Sequence, residues 1–184
     1  TPLGSGNTEC KNHKNLEEFK VYQVGNFLFD VPVDFPHLDF LHNDYLTLTE
    51  YRVDKVNAPS EVVVDLFLDV SHIPITHRGV YDQIGIDHKL TVDWYYADNG
   101  SLQLVYCDND KLSDYALDFD KKLKFKAAWL TLYPGTMIEW QPGAVFVTIT
   151  ENTSHGSDVH VFKYRDTRYN KGVWKLNEDI WETA

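Results

Sequence analysis

The sequence predicts an α+β domain in which a helix lies against a long, curved antiparallel sheet. Three observations predict it. Two β-rich runs around Gly25-Asn26 carry a hairpin signal. One helix-forming stretch follows the turn Asn57-Ala58-Pro59-Ser60. From residue 89 onward, short apolar runs alternate with Asn-Gly and Pro-Gly punctuation, as in a meander.

Taken in order, residues 1–15 are polar, with glycines at 4 and 6, and read as an extended arm. Residues 19–24 and 27–33 are the hairpin strands, and residues 34–47, with Pro36, read as irregular. Thr47 to Val56 alternates well enough to be a strand. Ser60 is placed to cap a helix starting at Glu61. The β-branched run Val62-Val63-Val64 is weak helix sequence, so burial rather than propensity must hold that helix. Strands are then expected at Leu90–Ala97, Ser101–Cys107, Lys124–Tyr133, Met137–Gln141, Ala144–Thr150 and Val159–Tyr164. Asn177 is read as the cap of a terminal helix over residues 178–184.

The length of 184 residues suits one domain with a real core. No apolar run approaches a membrane span, and no signal peptide is evident. Two cysteines make no disulfide framework, so a reducing cytoplasm is expected. A net charge of −11 argues against nucleic acid as a partner.

Chemistry concentrates in Asp65–His77, where two aspartates and two histidines interrupt an apolar stretch. Buried titratable groups need partners, so the stretch reads either as a metal site or as a core element with a polar edge. His72 and His77 are separated by five positions, which on a regular helix is about 140° of rotation. For both to reach one ion the backbone must leave α geometry. Pro74 lies between them and disfavours a regular helix, so a local distortion or π-type turn is expected there. A third ligand must then come from elsewhere, with Asp82, Glu178 and Asp179 as the candidate carboxylates. Two histidines plus a carboxylate suit non-haem Fe(II), and zinc is the chemical competitor. Cys10-x-x-His13 has half of a metal-site spacing, without a second pair to complete it.

Asp65-x-x-x-Asp69-x-x-His72-x-x-x-x-His77 resembles the iron motif of Rieske non-haem iron oxygenase α subunits, Asn-x-x-x-Asp-x-x-His-x-x-x-x-His, with only the first position changed. The tail Asn177-Glu178-Asp179-Ile180-Trp181-Glu182 resembles the segment that supplies the family's carboxylate ligand. The resemblance implies a helix-grip (START/Bet v1-like) catalytic domain over residues 19–184, preceded at 1–18 by a linker from a Rieske domain. It implies His72, His77 and Asp179 as ligands of a mononuclear Fe(II), and Asp69 as the electron-transfer bridge to a neighbouring subunit's cluster. Asp65, His155 and Trp94 are the expected substrate contacts.

The implied reaction is hydroxylation or demethylation of an aromatic or related apolar compound with O2. It draws electrons from a ferredoxin or reductase through a [2Fe–2S] cluster, in a homotrimer. The chain has no C-x-H to bind that cluster, so it is expected to be a catalytic domain without its electron donor, cut short five residues past Asp179. The rival expectation is a helix-grip domain that binds an apolar small molecule without turnover.

Overall fold

The computed structural model describes residues 20–76, 91–106, 117–118 and 120–183. The arm at 1–18, His77 and Asp82 lie outside the described residues. The fold is α+β, as expected. A two-stranded hairpin, β1 (Tyr22–Val24) and β2 (Phe27–Phe29), turns at Gly25-Asn26. A seven-stranded antiparallel sheet follows, built from β3 (Leu46–Val56), β4 (Thr91–Ala97), β5 (Gly100–Tyr106), β6 (Ala127–Leu132), β7 (Thr136–Gln141), β8 (Ala144–Thr153) and β9 (Gly156–Asp166). Its order is β3-β9-β8-β7-β6-β5-β4, so the last strand crosses back to pair with the first.

Alternate residues of a strand face opposite sides, and directly paired residues share a side. On one side of this sheet Leu102, Leu104, Leu130, Ile138, Trp140 and Val145 pack with Phe29, Phe35, Phe40 and Leu41 from the hairpin and the segment after it. Phe40 meets Phe125 edge-on at 6.1 Å and Trp140 at the same centroid distance. This core is apolar.

Helices cover the other side. Helix α1 (Ser60–Leu68) buries Val63 against Val159 and Val161. Helix α2 (Ile73–Thr76) and helix α3 (Lys171–Thr183) contribute Ile73 and Val173 to a cluster with Val105, Ala127 and Trp129. Gly143 holds φ +88 in the β7–β8 turn, where a Cβ would meet Val173 Cγ1 at 2.8 Å, so glycine lets α3 lie close to the turn.

Three local expectations are corrected. Ser60 is the first residue of α1 and not its cap, and its amide donates to the Asn152 side chain at the end of β8. The helix breaks at Asp69 and not at Pro74: Asp69 leaves helical geometry and a 3₁₀ turn runs from Val70 to His72, with no π-turn among the described residues of this stretch. Pro74 falls in the first turn of α2, where its missing N–H removes no intrahelical bond. The terminal helix starts at Lys171, where the Asn170 side chain accepts from the Gly172 and Val173 amides. Asn177 is buried in mid-helix, donating to Pro142 O and Val173 O. Asp179 is therefore the ninth residue of its helix and has no helix N-terminus to stabilise it.

Candidate functional site

Between α1, α2 and the helix side of the sheet lies a cavity of about 320 Å³. This is at the small end of ligand pockets. Val63 and Phe67 of α1, Ile73 of α2, and Val159 and Val161 of β9 give it apolar walls. The pairing register sets its floor. Trp129 of β6 is directly opposite Glu139 of β7, and Glu139 is directly opposite Phe146 of β8. These three side chains form one cross-strand row and all line the cavity. Arg52 and Asp54 of β3 line its more exposed end, bonded to each other at 2.9 Å.

Glu139 is the unusual group in this cavity. It is 9% exposed, and burial pushes its carboxyl up to about 7, offset in part by a hydrogen bond from the Trp129 indole. It is not among the residues the sequence singles out. Its signal was a charged residue in the middle of Met137-Ile138-Glu139-Trp140, an otherwise apolar strand segment.

Of the expected metal ligands, His72 lines the cavity. Its Nδ1 is within hydrogen-bond reach of the Asp69 carbonyl oxygen. A carbonyl only accepts, so Nδ1 is the donor in this hydrogen bond. The 3₁₀ turn after Asp69 makes this possible by bringing residue 72 back over residue 69. Asp69 itself is half-exposed. Its carboxylate accepts from the Ser71 amide at 2.9 Å and from the Ser71 hydroxyl, and the hydroxyl above all holds its pKa below the usual value.

Asp179 is half-exposed and bound by Lys175 at 2.6 Å. The neighbouring Glu178 turns toward the sheet, pairing with Arg165 and lying 4.0 Å from the buried Lys163 ammonium. Among the described residues no three His, Cys, Asp or Glu side chains gather as a metal-holding group. Of the three expected ligands, His72 lines the cavity, Asp179 pairs with Lys175 on the terminal helix, and His77 lies outside the described residues.

The expected substrate contacts stand apart from the described cavity wall. Asp65 is exposed on α1. His155 is in the β8–β9 turn with its ring on Asp158 at 2.9 Å, and Trp94 stacks on Tyr96 at 5.7 Å. Two strand aromatics, Trp129 and Phe146, do line the cavity.

No protein-family model matches the sequence, and no curated protein is significantly similar to it. Solved structures are similar in fold. One is the quaternary ammonium Rieske monooxygenase CntA in complex with an inhibitor, which aligns with TM-score 0.54 and 16% identity over 79% of this chain. Another is a quaternary ammonium Rieske monooxygenase described for carnitine oxidation by gut microbiota and inter-subunit electron transfer, with the same TM-score, identity and coverage. The chain spans about 40% of the length of these structures. No helix among the described residues is long and apolar enough to cross a membrane. At this identity the likeness is one of fold: the chain is built like part of a Rieske monooxygenase.

Proposed function

We propose that this chain is the substrate-holding, mononuclear-iron part of a Rieske-type oxygenase acting on a small, largely apolar compound. The observation that supports it most is His72, which lines a cavity walled by apolar side chains and has its Nδ1 proton directed to a backbone carbonyl. In this reading His72, His77 and Asp179 hold the ion, and Asp179 exchanges Lys175 for it. Iron there would supply the O2 chemistry of such an enzyme.

The chain's own residues do the rest. The Asp69 carbonyl fixes the imidazole tautomer and orientation. The Asp69 carboxylate, kept ionised by Ser71, serves as the bridge to an electron donor on a neighbouring subunit. Val63, Phe67 and Val161 exclude water and hold the substrate by its apolar surface. The [2Fe–2S] cluster, a ferredoxin or reductase partner, and trimeric assembly belong to this proposal.

Metal analysis of the purified protein tests it. Iron near one per chain, lost in His72→Ala and in Asp179→Asn, is the expected result; stoichiometric zinc, or iron content unmoved by His72→Ala, would overturn it. A second reading, a domain that binds an apolar molecule without turnover, is favoured by the Lys175–Asp179 pair. It predicts ligand binding with no metal at all.

A further inference from the structure

The cavity floor places a buried carboxylate between two aromatic side chains. Trp129, Glu139 and Phe146 stand in one row on β6, β7 and β8, at the spacing of neighbouring strands, about 5 Å. A carboxylate 9% exposed needs compensation for its charge, and here the compensation is one indole N–H. Among the described residues no cation acts on it. The nearby cations are committed elsewhere. Arg52 is bonded to Asp54 at 2.9 Å, and the Lys163 ammonium, in the next position of the same row, is 3.9 Å from Glu50 and 4.0 Å from Glu178.

The paired side chains on either side are aromatic, and the lining residues beside them on the same face of β7 and β8 are Met137, Gln141 and Thr148. Aromatic faces attract cations, most strongly where both are desolvated. A carboxylate flanked by two rings in an apolar cavity is complementary to a positive charge carried on an apolar body.

We propose that the cavity takes a small organic cation, with its ammonium group seated on the Glu139 carboxylate between the Trp129 and Phe146 rings. This rests on the reading of the cavity as the substrate site and narrows its substrate class from apolar compounds in general to organic ammonium compounds. The cation completes the charge balance that the described residues leave open, and the apolar walls hold its carbon frame.

Choline and its uncharged carbon isostere 3,3-dimethylbutan-1-ol have the same shape and differ in charge, so calorimetric titration of both isolates the charge term. On the unmodified protein choline is expected to bind at least about tenfold more tightly than the isostere. Glu139→Gln keeps the side-chain shape and is expected to erase that preference while leaving the isostere's affinity in place. If the isostere binds as well as choline, or if Glu139→Gln weakens both equally, the cation inference falls and the cavity remains a small-molecule site. If neither ligand binds, both the inference and the reading of the cavity as a substrate site fall. Iron content, measured separately, reports on the metal reading alone.

Discussion

The two faces of the seven-stranded sheet come from the same strands, residue by alternate residue, and they differ in chemistry. On the hairpin side, the buried residues of β5 to β8 are Leu102, Leu104, Ala128, Leu130, Leu132, Ile138, Trp140 and Val145. On the helix side, those strands bury Ser101, Gln103, Thr131, Glu139, Gln141, Thr148 and Thr150 beside their apolar neighbours. Ser101 Oγ, Gln103 Oε1 and Thr131 Oγ1 are buried there without hydrogen-bond partners. Unpaired buried polar atoms oppose folding. The hairpin face is therefore the more stabilising one, and the helix face carries buried polar groups that oppose folding.

The division is open to measurement. Phe40→Ala, at a fully buried position between Phe125 and Trp140, is expected to cost about 3–5 kcal/mol in urea unfolding. A loss near zero would mean that the hairpin face is not the stabilising one.

Glu139→Gln should act in the opposite direction. The folded-state pKa of about 7 is above the ordinary 4.5, so folding favours the protonated acid. That contribution is complete below pH 4.5 and is lost as the pH rises through 7. Glutamine resembles the protonated form at every pH. The variant should match the parent near pH 4 and exceed it at pH 8 by up to about 3 kcal/mol, with a flatter stability-against-pH curve. A parent protein whose stability is level between pH 5 and 8 would contradict the buried, uncompensated acid.

Gly143→Ala places a side chain at a positive φ and against Val173, and should cost about 1–2 kcal/mol by loosening α3 from the β7–β8 turn. Thermal melting with hydrogen exchange on α3 measures it, and the loss should concentrate in that helix.

Thr131→Val is the smallest expected effect. It removes an orphaned hydroxyl at nearly constant volume, and the protein should be unchanged or up to about 1 kcal/mol more stable by urea titration. A clear destabilisation would show that the hydroxyl has a partner, such as an ordered water.

Turn chemistry was legible because it is local. Gly25-Asn26, Asn99-Gly100, Pro134-Gly135 and Pro142-Gly143 punctuate the strands where the sequence predicts. Helix ends were less so. The sequence places the last helix at residue 178, yet it begins at 171, because Asn170 caps it and because Val173 and Asn177 face the sheet. The sequence predicts a break near the histidines and points to Pro74 for it. Its observed place is Asp69, where the side chain turns back to the Ser71 amide. His72 was readable from its motif. Glu139 was not, since a glutamate in a strand is usually solvated and only burial makes it unusual.

The sequence by itself determined the alternation of each strand, the turns between them, and the stretch in which His72 stands. Those depend on neighbours within a few positions along the chain. Only the tertiary structure decided which side of the sheet holds a cavity, and that Trp129, Glu139 and Phe146 meet there. Register brings those three together from separate strands, and α1 and α2 close over them. A carboxyl's burial, and hence its charge, depends on that packing and not on the residues beside it in sequence.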